Sequence, residues 1–317
     1  MARVRQTQSY LRELFLQKGL APRHKMGQHF LIDLNLHELI VNTAHVGPGD
    51  VILEVGTGAG AMTCLMAERG ASVIAVELDP GMAQLTREAV SALEQGESQL
   101  QGNVQVLNID ALATKSTLNP LLVEAVESAL RSGPGRQLKL VANLPYNVAT
   151  PIITNLLVHP SICPTLLVAT IQRELAERMK ASPGSPDYGS LSVIVQALAE
   201  VEIVRILPPS VFWPRPKVES AIVAIRADPA RRAGFDVPWF HAVVRKVFLH
   251  RRKNLRHVLA AMWPQRWSKH DVDLWLQDLG FDGQQRAETL DVGQFHTLAD
   301  ALQRKWPGGF GEDAGEG

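Results

Sequence analysis

The chain is poor in cysteine, with only Cys64 and Cys163 among its 317 residues. The two lie far apart and lack the close spacing of a metal site. Both read as small buried hydrophobes in a protein of a reducing cytoplasm. No apolar run approaches the roughly 18 residues needed to span a bilayer. The N-terminal stretch holds no signal-type apolar segment; Leu11, Leu14, Phe15 and Leu16 instead have the spacing of one face of a short helix. Net charge is absent too, since 32 basic and 32 acidic side chains cancel. That balance counts against a nucleic-acid partner. What is present is a 46% apolar composition, enough for the core of one large or two modest domains. The expectation is a soluble cytoplasmic monomer that makes no membrane contact.

The charge is unevenly placed, however. Residues 1–30 carry Arg3, Arg5, Arg12, Lys18, Arg23 and Lys25 against Glu13 alone. Residues 245–256 carry Arg245, Lys246, Arg251, Arg252, Lys253 and Arg256 with no acid. Each cluster alone reads as a solvated helix face, whereas two on a neutral body suggest a directed phosphate-binding face. From Pro307 onward, Glu312, Asp313 and Glu316 sit among glycines, and this tail (307–317) reads as acidic and disordered.

Short apolar runs alternate with helical patterns through the first two thirds of the chain. Strands are expected at Val51–Val55, Ser72–Val76, Val104–Leu107, Leu138–Ala142 and Thr165–Ile171, with helices between them, including one over Leu118–Leu130. This alternation predicts an α/β fold, a doubly wound parallel sheet. Val201–Ile206 and Ser220–Arg226 follow without a long helix between them, so the last strands are expected to pair antiparallel. After Asp228 only helical patterns remain, near 239–249, 251–262, 269–279 and 291–303. The expected domains are therefore 1–227, with the sheet and a basic N-terminal arm, and 228–306, a small all-α domain.

Open α/β sheets bind ligands at the carboxyl ends of their strands. In order, the first four strands end in the loop Gly56–Gly60, in Glu77, near Asp110, and in Asn143. The run Gly56-Thr57-Gly58-Ala59-Gly60-Ala61, with Glu77 about 20 residues on, fits the loose dinucleotide fingerprint. A nicotinamide or flavin enzyme is thus a competing reading. Two residues favour S-adenosylmethionine instead. Glu54 places a carboxylate just before the loop, unwelcome beside a pyrophosphate but suited to a sulfonium and an ammonium. Asp110 adds an acid that can accept from an adenine amine, while Glu77 can take ribose hydroxyls in either case.

The fourth strand runs into Asn143-Leu144-Pro145-Tyr146. Pro145 fixes its own φ and biases Leu144 away from helix, so the corner is stiff. It can present an amide, a carbonyl and an aromatic face to one cavity. A nucleobase amine needs that set: the Asn143 side-chain oxygen and the Leu144 carbonyl accept its two hydrogens, and Tyr146 stacks on the ring. The alternative is an ordinary strand-to-helix turn in which Asn143 caps the next helix.

With these motifs in view, the chain resembles the ribosomal RNA adenine dimethyltransferase family, whose loss in bacteria gives kasugamycin resistance. The resemblance rests on His24–Asp33, Glu54–Gly58, Val76–Asp79, Asp110-Ala111, Asn143–Pro151, Tyr188–Val193, Pro209–Ser220 and the basic His250–Arg256. It implies a class I methyltransferase sheet with a small C-terminal helical domain, and S-adenosyl-L-methionine as cofactor. By resemblance Gln28, His29 and Leu31 close over the methionine part of the cofactor, with Gly56 and Gly58 in its loop. Glu77 takes the ribose, Asp110 the adenine, and Asn143 stands between cofactor and target. Phe212 stacks on the target base opposite Tyr146. Lys25, Arg251, Arg252, Lys253 and Arg256 meet RNA phosphates. The implied substrate is 16S RNA in the small subunit or its precursor, at two adjacent adenosines of the last hairpin loop, each methylated twice at N6. His29 stands where many members have Asn, and Met26 where many have an aromatic residue. Other relatives remain as alternatives: a non-catalytic nucleic-acid binder, a DNA adenine methyltransferase, or an antibiotic-resistance enzyme acting on large-subunit RNA.

Overall fold

The computed structural model describes residues 6–23, 27–95, 101–250 and 253–310. Lys25, Arg251, Arg252 and the acids Glu312, Asp313 and Glu316 lie outside the described residues. The chain divides into two compact units, one of 1–176 with 200–227 and the other of 177–199 with 228–317.

The first unit opens with α1 (Gln8–Lys18), β1 (Phe30–Leu31) and α2 (Leu34–Thr43). Then β2 (Asp50–Val55), α3 (Ala61–Glu68), β3 (Ser72–Val76), α4 (Pro80–Glu94) and β4 (Asn103–Leu107) alternate. A hairpin of β5 (Leu112–Thr114) and β6 (Thr117–Leu118) leads to α5 (Pro120–Arg131), β7 (Gln137–Asn143), α6 (Ala149–Val158), β8 (Leu166–Gln172) and the start of α7 (Arg173–Met179), which leaves this unit after Ala176. Past α8 (Ser190–Leu198), which belongs to the other unit, come β9 (Ala199–Leu207), β10 (Phe212–Trp213) and β11 (Ser220–Ala227).

Seven strands form one sheet in the order β4-β3-β2-β7-β8-β11-β9. β2, β3, β4, β7 and β8 are mutually parallel, and β11 runs antiparallel to β8. Every residue of β2 and β3 is buried, as expected of a sheet covered on both faces. Strand order reverses between β2 and β7, so the crevice at their carboxyl ends is the switch point where such sheets bind ligands. One core cluster joins Ile40, Val41 and Met66 from the helices to Ile52, Val73, Val141 and Ile222 from the sheet.

Several local expectations need correction. Asn119 caps α5 by accepting from the Leu121 amide at 3.0 Å, and Pro120 opens the helix. The expected helical start at Leu118 is therefore the end of the β5–β6 hairpin. In α1, Leu11 and Phe15 are buried while Leu16 is 83% exposed, so the four apolar residues do not share one face. The α2 helix and the β1–β10 pair carry no strong periodic signal and were not expected.

The second unit holds α8 and then α9 (Pro229–Arg232), α10 (Val237–Phe248), α11 (Leu255–Met262), α12 (Lys269–Asp278) and α13 (Val292–Lys305). It takes in 177–199, which strand–helix alternation assigns to the sheet domain. The reason is apolar: α8 has seven buried residues and packs against α10 and α13. Tyr188, fully buried before α8, donates its hydroxyl to the Leu290 carbonyl at 2.9 Å, and burial pushes its phenol up to about 12. The tail does not begin at Pro307, because Phe310 stacks on Trp239 and Trp263 at 4.7 and 5.3 Å.

One buried ion pair sits at the opposite end of the sheet from the switch point. Lys139 Nζ meets Asp50 Oδ2 at 2.8 Å and donates to the His45 carbonyl at 3.0 Å. Removing one partner of such a pair leaves a nearly buried charge uncompensated. Lys139→Met should lower unfolding free energy by about 3 kcal/mol in denaturant titration. Adding Asp50→Leu should recover most of that loss.

Candidate active site at the switch point

A cleft opens at the carboxyl ends of β2 and β7. Its wall includes Gln28, His29 and Leu31 from the arm, Glu54, Gly56 and Gly58 from the first turn, and Asn143, Leu144 and Tyr146 from the corner. These nine expected residues share one cavity. Glu77 stands beside it at the end of β3, bonded to the first-turn loop.

The first turn approaches its neighbours closely. Gly56 and Gly58 have φ of 82° and 57°, where a side chain is strained. A Cβ on Gly56 would stand 2.9 Å from Pro145 Cδ, and one on Gly58 would stand 3.0 Å from the Phe30 ring. The missing side chains thus let the turn pack closely against the corner at Pro145 and the arm at Phe30. Glu77 holds this turn in place. Its carboxylate accepts from the Gly58 amide at 3.2 Å and the Asp79 amide at 2.9 Å. Burial raises its pKa, and the bonds from Asp79 and Gly58 oppose that rise.

Glu54 is 1% exposed and accepts a hydrogen bond from the Thr63 hydroxyl. Burial pushes its carboxyl up to about 8; the Thr63 bond works against this and the Glu77 charge adds to it. Burial thus favours the neutral acid, and a neighbouring cation would favour the carboxylate.

At the corner, Asn143 Nδ2 donates to the His29 carbonyl at 2.8 Å. That bond commits one of the two amide hydrogens, and no described residue donates to Oδ1. The Leu144 amide donates to the Thr170 carbonyl at 3.2 Å, and no described residue donates to the Leu144 carbonyl, although Leu144 as a whole is 1% exposed. Two neighbouring residues of the cleft wall thus each carry an acceptor without a donor among the described residues. Tyr146 shares a hydrogen bond with the Ser220 hydroxyl, and burial raises its pKa.

Other expected residues stand elsewhere. Phe212 is 3% exposed and packs in the core with Leu31 and Val211, so in this structure it offers no face opposite Tyr146. The cause is the pairing of Phe212 with Leu31 in the β1–β10 ribbon, which turns the ring inward. Trp213 packs on Phe15 and Phe30, with Arg12 over its ring. Asp110 is exposed at the end of β4 and spends Oδ1 on the Leu112 amide at 2.9 Å, leaving Oδ2 for a ligand. Lys253 precedes α11 and is not on its face, since Asn254 is the cap. Arg256 pairs with Asp273 at 2.8 Å.

Sequence reasoning missed Gln6, Leu11 and His37, which also line the cleft. Gln6 donates to the Ala59 carbonyl at 2.9 Å and so ties the arm to the first turn. The apolar spacing of α1 is a signal for Leu11 alone; none marks Gln6 or His37.

A family model described as "Ribosomal RNA adenine dimethylase" matches residues 19–304. The chain belongs to that family. It is 38% identical over 299 residues to "Ribosomal RNA small subunit methyltransferase A" of Pelotomaculum thermopropionicum, spanning 92% of this chain and 95% of the relative. The protein of the same name from Moorella thermoacetica is also 38% identical, over 92% of this chain and 96% of its own. Among solved structures, a dimethyladenosine transferase from Plasmodium falciparum shares the fold with a TM-score of 0.66 at 23% identity, covering 87% of this chain and 98% of that one. The dimethylase uses S-adenosylmethionine, and the cleft fits it: a glycine-bearing turn at the switch point for a nucleoside and a buried acid for a cation. The dinucleotide reading of the first turn is set aside.

Glu54 ionises near 4.5 in an unfolded chain and near 8 in the folded one. Between those values the folded state binds more protons, so its stability falls as pH rises through the window. Glu54→Gln abolishes that slope. Its melting midpoint, measured without cofactor, should gain on the wild type from about pH 5 to about pH 8 and run parallel outside it. Parallel curves throughout would mean that Glu54 is already ionised in the free cleft.

Proposed function

We propose that this dimethylase transfers methyl groups to N6 of two adjacent adenosines in the last hairpin loop of 16S RNA, each twice, during small-subunit maturation. The observation that carries this reading is that Asn143, Leu144 and Tyr146 line one cleft, with no described residue donating to Asn143 Oδ1 or to the Leu144 carbonyl. The cofactor supplies a methyl group on a sulfonium, already a good electrophile. The chain's residues have to bring an unwilling amine to it.

The N6 lone pair of adenine is delocalised into the ring. Accepting both N6 hydrogens at Asn143 and Leu144 favours a pyramidal nitrogen with its lone pair directed outward. Such positioning supplies most of the acceleration, and no general base is required before transfer. The base must leave its stack to enter the cleft, and loop adenosines leave more readily than paired ones. Since a singly methylated amine must also fit, the grip on N6 is loose. Glu54, Glu77 and Asp110 bind the cofactor in this reading, and Gln28 and Leu31 cover it.

In the helical unit, Lys253 is exposed and sits beside the run 251–252. Contacts from this region to phosphates would position RNA without reading its sequence. Arg256, held by Asp273, serves the fold as much as the RNA.

Radiolabelled methyl transfer to small subunits from cells lacking the enzyme is the direct test. Label in N6,N6-dimethyladenosine supports the proposal; no label, or label in another nucleoside, overturns it. Asn143→Ala should cut turnover roughly a hundredfold while cofactor affinity stays within about threefold. Equal losses in both would put Asn143 in the cofactor wall. Lys253→Glu should weaken RNA binding and flatten its salt dependence by about one unit of log–log slope, leaving cofactor affinity unchanged. An unchanged slope would remove Lys253 from the interface.

A further inference from the structure

A tyrosine in a turn is a poor platform if its ring can swing. Tyr146 follows Pro145 at the corner, with neither helix nor strand to fix its side chain. Two contacts restrain it. At the tip, the phenol shares a hydrogen bond with Ser220, which is fully buried at the start of β11. Against one face lies the His29 imidazole, with ring centroids 5.1 Å apart and planes inclined by 34°. Among the described residues, no other ring packs on Tyr146.

The imidazole is itself tethered. A carbonyl can only accept, so His29 Nδ1 carries a proton and donates to the Pro214 carbonyl at 2.7 Å. One residue further in, β1 begins and pairs with β10, which fixes the backbone. The His29 carbonyl also receives the Asn143 amide. His29 therefore touches both halves of the corner: its backbone orients the amide, and its side chain backs the ring. An asparagine here would keep the backbone contact and lose the ring.

We propose that the His29 side chain is a positioning residue for the target base. It holds the Tyr146 ring from one face, and the opposite face receives the extruded adenine. The inference rests on the adenine N6 reading above. His29 acts through Tyr146 and does not touch the base, unlike the role expected of Phe212, which is buried in the core here.

The test compares His29→Asn, His29→Ala and His29→Phe on undermethylated small subunits, with cofactor affinity measured separately without RNA. An aromatic contact of this kind is worth about two- to tenfold. His29→Asn and His29→Ala should lower kcat/KM for the subunit by that factor, with cofactor affinity shifting less than about twofold. His29→Phe should restore kcat/KM, since it keeps the ring and gives up only the bond to Pro214. Ser220→Ala releases the ring at its other end and should show the same split. Four results would each overturn the proposal: a flat His29 series, His29→Phe as poor as His29→Ala, cofactor affinity falling in step with kcat/KM, or His29→Ala faster than wild type. The unsubstituted protein in the same assay reports on the adenine reading itself. If it dimethylates adenosine while the His29 series is flat, only the positioning role is lost.

Discussion

A single hydrogen bond, from the Asn143 amide to the His29 carbonyl, joins the end of a central strand to the N-terminal arm. It spends an amide hydrogen on the arm and leaves Oδ1 without a donor among the described residues. The proposed reading needs that oxygen as an acceptor, since an amine has only donors to give. The bond also requires the arm to lie over the cleft, which the β1–β10 pairing, the Gln6 contact to Ala59 and the packing of Phe15 on Phe30 together enforce. The arrangement of this corner thus depends on a segment more than 100 residues away in sequence.

Around that bond the sheet provides rigidity at an electrostatic cost. Glu54 and Glu77 are both buried beside the cleft, and burial raises both pKa values. Placing two acids there is unfavourable until a cation arrives. The first turn offsets part of the cost by donating the Gly58 amide to Glu77. The same bond shapes the turn, so binding and architecture draw on one interaction. Helix α4 is tied into this region as well, since Asp79 caps it while Thr86 reaches the Gly58 carbonyl.

Much of this site was legible because it lies at strand ends. A strand of known direction puts its last residue at a known edge, so Glu54, Glu77 and Asn143 could be placed together from periodicity alone. Phe212 could not. Its neighbours Pro209–Ser220 mark a functional segment, but which way the ring points depends on a two-residue pairing with Leu31 across the fold. Leu16 misled for a related reason: four apolar residues in six cannot all face one way on a helix with 3.6 residues per turn. The separate helical unit was readable after Asp228, yet 177–199 joined it through contacts of α8 with α10 and α13, which no local pattern encodes.

By its sequence alone the chain determined its layered α/β architecture, the turn of glycines, the acids at the strand ends and the stiff corner at Pro145. These follow from short-range sterics and from periods of two and 3.6 residues, which any local window contains. The tertiary structure decided the rest: the bond from Asn143 to His29, the ring that backs Tyr146, the burial of Phe212 and the raised pKa of Glu54. Each of these depends on what a distant segment brings within a few ångströms, because hydrogen bonds, ring contacts and desolvation act through space and take no account of sequence separation.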